Sequence, residues 1–106
     1  MFVFNQDMIA KEAGEGITRK VLAYGEKLML CELTLRKGAV IAEHTHPHEQ
    51  CTYIISGKLR FAVGDEAMEV GSGDTVLAPG NISHGVIVLE DAVTVDIFSP
   101  IREDFI

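Results

Sequence analysis

Turn signals break this chain so often that it has almost no room for a long helix. Beyond Gly14, interruptions fall at Gly16, Gly25-Glu26, Lys37-Gly38, Pro47, Ser56-Gly57-Lys58, Gly64-Asp65, Gly71-Ser72-Gly73-Asp74, Pro79-Gly80-Asn81 and Glu90-Asp91. The short segments between them are rich in Val, Ile, Leu, Thr and Phe, side chains that suit a pleated surface. Nine strands are predicted: Thr18–Tyr24, Leu28–Leu35, Val40–His44, Cys51–Ser56, Leu59–Val63, Ala67–Val70, Thr75–Leu77, Gly85–Leu89 and Thr94–Phe98. Helical spacing is visible only in Gln6 to Ala13, where Met8, Ile9 and Ala13 predict one or two turns before Gly14 and Gly16 end them. Many short strands with glycine at the corners predict an all-β sandwich or closed barrel.

A chain of 106 residues supports one core and therefore one domain. Residues 1–17 read as an N-terminal extension, about 18–99 as the barrel and 100–106 as a C-terminal tail. The formal net charge of −7 repels phosphate backbones and anionic lipid, so neither nucleic acid nor a membrane is an expected partner. An anionic substrate would need a local positive charge. The N-terminus has no basic start or apolar run of a signal peptide, and no apolar stretch approaches the ~20 residues of a membrane helix. Cys31 and Cys51 are too few for a stapled secreted scaffold, so free thiols in the cytoplasm are expected. Met1-Phe2-Val3-Phe4 would be an exposed apolar patch at a free terminus, and pairing across a two-fold axis in a homodimer is expected.

Alternation along strands assigns side chains to faces. In Leu59-Arg60-Phe61-Ala62-Val63 the odd positions face the core and Arg60 faces out. Val93 to Phe98 is apolar on both faces and predicts a strand buried on both sides, yet it contains Asp96. Such a carboxylate requires a reason. Tyr53 and Phe61 read as barrel lining or core.

Three of the four histidines lie in Glu43-His44-Thr45-His46-Pro47-His48-Glu49-Gln50. On an extended strand, His44 and His46 project from one face and can reach one ion. Pro47 bends the chain, and Gln50 can return to the same point. His84, 38 residues after His46, opens another strand and completes the candidate ligand set; His48 reads as a solvated loop residue. Imidazole nitrogen suits several transition metals, so one divalent ion per chain is expected, with Zn, Ni, Fe, Mn and Co all open.

The frame around these residues resembles the cupin family. Gly38, His44-Thr45-His46, Gln50 and Gly57 are spaced as in the first cupin motif, and Gly73, Pro79 and His84 as in the second. The resemblance implies a single-domain jelly-roll barrel, a double-stranded β-helix, with a metal at His44, His46, Gln50 and His84. Three positions depart from the pattern: Gln50 replaces the usual glutamate, Asn81 the usual glycine and Val88 the usual asparagine. With glutamine, three imidazoles and an amide leave the full charge on the ion, which favours an anionic ligand and moves the site away from the 2-His-1-carboxylate triad of oxygenases.

Arg19 to Tyr24, Lys37 to Val40, His46 to Gln50 and Phe98 to Ile106 are similar to the cupins of pectin degradation. That similarity implies conversion of 4,5-unsaturated monouronates, from pectin or alginate breakdown, to the linear 5-keto-4-deoxyuronate, with no net redox change. It also implies catalytic roles for Asp96, Phe98 and Arg102. Ring opening needs a proton at the alkene carbon and water at the oxygen-bearing carbon. Asp96 can move that proton, Arg102 can hold the carboxylate and Phe98 can flank the ring. Alternatives are another metal-dependent enzyme on the same barrel, an oxygenase or sugar isomerase, and a non-catalytic sugar-binding module.

Overall fold

Two strands of unusual length organise the molecule. In the computed structural model, which describes all residues from Met1 to Ile106, β5 runs over Glu49–Val63 and β8 over His84–Ser99. They pair antiparallel along nearly their whole length, from Glu49↔Ser99 to Val63↔His84. The other strands are β1 (Lys11–Gly14), β2 (Ile17–Tyr24), β3 (Met29–Leu35), β4 (Val40–His44), β6 (Glu66–Gly71) and β7 (Thr75–Ala78). The first half of β8 pairs with β4 and its second half with β3, while β5 pairs with β7 through its first half and β6 through its second. The result is two sheets that share the long pair. One runs β1-β2-β3-β8-β5-β7 and the other β4-β8-β5-β6. Leu33, Leu35 and Ile54 from the first meet Leu59, Phe61, Val86 and Val88 from the second in one core. This is the jelly-roll barrel that the cupin resemblance implies.

Four predicted strands are thus two. Ser56-Gly57-Lys58 and Glu90-Asp91 are irregularities within β5 and β8, where the pair passes from one sheet to the other. Gly57 has φ 88°, and a Cβ there would overlap the Asp91 carbonyl and Ala92. Glycine marks a close crossing here, and the chain continues straight through it.

The predicted turn of helix at Gln6 to Ala13 is absent. Asn5–Asp7 forms a short 3-10 turn, and Lys11–Gly14 is an edge strand with Lys11 opposite Arg19 and Glu12 opposite Thr18. An isolated helix of two turns is marginal in water, whereas an edge strand pairs its backbone at once with β2. Val93 to Phe98 is not buried on both sides either. Thr94, Asp96 and Phe98 point inward and are buried, while Val93 and Val95 are half-buried and Ile97 is exposed. Phe61 is core, but Tyr53 is on the outer face at 45% exposure. Cys31 and Cys51 are both free thiols. No helix is long and apolar enough to cross a membrane.

Candidate metal centre and adjoining cavity

The two motifs meet at two glycines and one asparagine in a left-handed turn. His44 ends β4 and stands opposite His84, the first residue of β8. A Cβ on Gly85 would lie 2.9 Å from Glu43 Cγ and 3.0 Å from both Glu43 N and Ile41 O, so β4 can approach β8 this closely only beside a glycine. His46 lies in the loop to β5, and its carbonyl accepts the Asn81 N–H at 2.8 Å. Gly80 packs on the Pro47 carbonyl with no room for a side chain. Asn81 has φ 65°, the left-handed conformation that asparagine tolerates better than most residues, which accounts for its standing where cupins usually carry glycine. Val88, in place of the usual asparagine, is simply core.

The ligating atoms of His44, His46 and His84 lie within 4.8 Å of one another. Each Nδ1 is paired with a backbone carbonyl: His44 with Ala42 at 2.8 Å, His46 with His48 at 2.9 Å and His84 with Ile82 at 3.0 Å. A neutral imidazole that donates from Nδ1 presents a bare lone pair at Nε2, so the backbone selects the metal-binding tautomer three times. Burial lowers the pKa of both His46 and His84, favouring that neutral form.

Two further contacts call for a cation. His84 Nε2 is buried with no hydrogen-bond partner. His46 Nε2 is 3.1 Å from Gln50 Oε1. Because His46 spends its one proton on the His48 carbonyl, this contact sets two acceptors face to face, an arrangement that a shared positive ion relieves. The three histidines can hold a metal ion, and Gln50 brings an amide oxygen to the same point. His48 is not the solvated residue expected: it is half-buried, its ring edge-on to His46 with centroids 5.4 Å apart.

A cavity of about 190 Å³ opens beside this cluster, lined by His44, Gln50, Asp96, Phe98, Arg102 and Arg19 among others. Asp96 and Phe98 reach it from β8, opposite Thr52 and Gln50 of β5. Gln50 Nε2 donates to Thr52 Oγ1 at 3.1 Å, and Thr52 Oγ1 donates to Asp96 Oδ1 at 2.6 Å. This chain gives Gln50 a role that glutamate could not fill, since only an amide can accept toward an ion and donate toward Thr52. Thr52 was not singled out from sequence, although its position two residues after Gln50 places it on the same strand face.

Asp96 is 7% exposed, and burial pushes its carboxyl from 3.8 to about 6, against the opposing pull of the Thr52 hydroxyl, Arg102 and Arg19. The same burial, with Asp96 nearby, holds the Cys31 thiol up at about 11 and therefore protonated. In chelator-treated protein the raised carboxyl has a defined cost. Between about pH 4 and 6 the unfolded chain releases a proton that the folded chain keeps, so stability falls by about 2–3 kcal/mol as pH rises through that window. Below it both states are protonated and the stability is fully present. Asp96→Asn removes this slope; urea unfolding of both proteins across the window measures it, and parallel profiles would show an ordinary carboxyl.

Arg102 lines the cavity, but its fork is closed on Asp104, with Nε to Oδ1 at 3.1 Å and Nη2 to Oδ2 at 2.9 Å. That pair holds the Asp104 carboxyl below its usual range. The C-terminal tail turns back at Glu103–Phe105 and lays the Phe105 ring edge-on to Phe98, 5.7 Å between centroids. Phe98 in turn stands edge-on to His46 at 6.0 Å. Arg19, also passed over in the sequence, faces the cavity from β2; alternation with buried Ile17 was the available signal.

Comparison with known proteins agrees with this fold. Residues 31–98 match the Cupin domain. The chain is 36% identical over 98 residues to the pectin degradation protein KdgF of Dickeya dadantii (strain 3937), covering 91% of this chain and 89% of that protein. Its fold is similar to that of KdgF from Halomonas sp., with a TM-score of 0.96 and 31% identity over the whole of both chains. It is equally similar to an RmlC-like cupin from Shewanella frigidimarina NCIMB 400, with a TM-score of 0.96 and 30% identity over 99% of this chain and 95% of that one. Two ordered motifs, a histidine cradle and full-length similarity lead to one conclusion: the chain belongs to the cupin family and, within it, to the family of the pectin degradation protein KdgF.

Proposed function

We propose that this protein is a metal-dependent cytoplasmic enzyme that converts 4,5-unsaturated monouronates, from pectin or alginate breakdown, to the linear 5-keto-4-deoxyuronate. The observation that carries the reading is the chain Gln50–Thr52–Asp96, which joins the ion cradle to a buried carboxyl able to hold a proton near neutral pH. Water adds across C4=C5, with the proton going to C4 and the hydroxyl to C5. The C5–O bond to the ring then breaks, the C5 hydroxyl proton passes to the departing oxygen, and C5 is left as the ketone. The hydrated aldehyde released at C1 loses one water, which restores the balance.

Asp96 supplies the proton at C4 from Oδ2, because Oδ1 already accepts from Thr52. Phe98 flanks the sugar ring, and Arg102, paired with Asp104, keeps the donors not used in that pair for the substrate at the cavity wall beside it. His44, His46, Gln50 and His84 would hold one divalent ion, Zn, Ni, Fe, Mn or Co, which would supply Lewis-acid stabilisation of negative charge as the ring opens. An oxygenase is less well supported, because the donor set lacks the carboxylate of the facial triad. A purely sugar-binding module leaves the buried Asp96 without a task. The test follows the ultraviolet absorbance of the double bond in pectin- and alginate-derived monouronates, corrected for the spontaneous reaction. Loss of absorbance well above background is expected, and no rate above background on either would overturn the activity.

We also propose that the protein works as a homodimer, which the outer face of the larger sheet supports. Tyr53, Ile55, Leu77 and Ile97 are exposed there, with Cys51 opposite both Leu77 and Ile97 and Tyr53 opposite Val95. Asn5 is fastened to Glu32 on β3, and ahead of it Phe2 and Phe4 stand exposed. A second copy buries both apolar features at once. Sedimentation should give about twice 11.6 kDa, and Leu77→Lys about half that; a wild-type monomer would dismiss the pairing.

A further inference from the structure

We infer that Arg19, rather than Arg102, is the principal anchor for the substrate carboxylate, an assignment that rests on the uronate reading above. The two guanidinium groups are placed very differently. Arg102 is paired with Asp104 through two hydrogen bonds, so its charge is largely neutralised and two of its donors are occupied. That is the one ion pair in the molecule. Arg19 is half-buried, lines the same cavity as His44, Gln50 and Asp96, and has no carboxylate paired with it.

A partly desolvated cation without a counter-ion is costly unless something fills the place. Burial is also the main influence lowering the Arg19 pKa, though a guanidinium remains charged. Phe105 fixes its plane: Arg19 Cζ is 3.5 Å from the ring centroid, and the same ring has Arg102 Cζ at 4.2 Å. Stacking engages the face of the guanidinium and leaves its edge donors free for a planar two-oxygen acceptor. In a protein of net charge −7, this is the uncompensated positive charge of the cavity. Because the carboxylate carbon of a 4,5-unsaturated uronate is bonded to C5, fixing it fixes the reacting double bond. Arg19 therefore sets specificity for sugar acids over neutral sugars, with Phe105 as its positioning residue.

The experiment compares the unsaturated monouronate with its uncharged methyl ester in wild type, Arg19→Met and Arg19→Lys, each checked for folding by circular dichroism and for metal content. Wild type should prefer the acid. Arg19→Met should raise KM for the acid about 10- to 100-fold, the scale of a lost charged hydrogen-bonding partner, and collapse the preference for acid over ester. Arg19→Lys keeps a cation but not the fork, and should fall between the two. Calorimetric binding of saturated galacturonate, which cannot react, should weaken in the same order. A folded Arg19→Met that retains the wild-type preference overturns the assignment. If that variant does not fold, wild-type KM and galacturonate affinity in Arg19→Lys overturn it equally. Failure of the wild type to turn over either compound would instead overturn the uronate reading itself.

Discussion

Asp96→Asn should lower the rate of ring opening about 100-fold or more while leaving the fold, the metal and uronate binding in place. Asparagine is nearly the same shape and can still accept from Thr52 at Oδ1, so the Gln50–Thr52–Asp96 chain survives in outline. What disappears is the proton at Oδ2. Because burial raises the carboxyl and a bound cation would pull it back down, the wild-type rate should follow one ionisation at or below about 6, and Asp96→Asn should have lost that dependence. The ultraviolet assay reads both. Turnover close to wild type in Asp96→Asn would remove the carboxyl from the chemistry and leave it a buried partner of Thr52.

The second large effect is on metal retention. His84→Ala should reduce bound metal well below one ion per chain, as measured by elemental analysis of protein purified without added metal. Stability carries an independent signature. An ion at a hundred times its dissociation constant stabilises the folded wild type by about 2.7 kcal/mol, and chelation removes that amount. Chelation also leaves the buried Nε2 of His84 without a partner, at a cost of about 1–3 kcal/mol that the alanine variant does not bear. Wild type should therefore soften markedly with chelator, and His84→Ala should scarcely respond. Equal metal content and equal chelator response in the two proteins would exclude His84 from the site.

Both expectations rest on residues already visible in the sequence, and the reason is local. The H-x-H pair, Gln50 and His84 sit in frames of glycine and proline, and those residues act on their immediate neighbours. Pro47 ends the pairing after β4, Asn81 takes a left-handed turn, and Gly85 admits β4 beside β8. Such constraints are written in the order of the residues, so the candidate donor set and the barrel could be read without coordinates. Asp96 was legible for a different reason: a carboxylate on an otherwise apolar strand is costly wherever that strand lies.

What the order of residues left open depends on which distant segments meet. The sequence alone shows Ser56-Gly57-Lys58 as a turn; only the passage of β8 across Gly57 reveals a crossing within one long strand. Helical spacing at Gln6 to Ala13 is real but weak, and pairing with β2 overrules it. The direction of the Thr52 hydroxyl follows from the register that sets Thr52 against Asp96, 44 residues away. Arg102 was readable as a cation with Glu103 or Asp104 as a neighbouring partner; the pair with Asp104 forms locally, and the folding of the tail onto Phe98 sets it at the cavity wall. Arg19 is an ordinary strand arginine until that tail brings Phe105 beneath it. Local sequence thus determined the barrel and brought out its candidate metal donors, because glycine, proline and strand alternation act over a few residues. The tertiary structure decided which charges are paired, buried or free, because those energies depend on neighbours supplied by β2, β8 and the C-terminal tail.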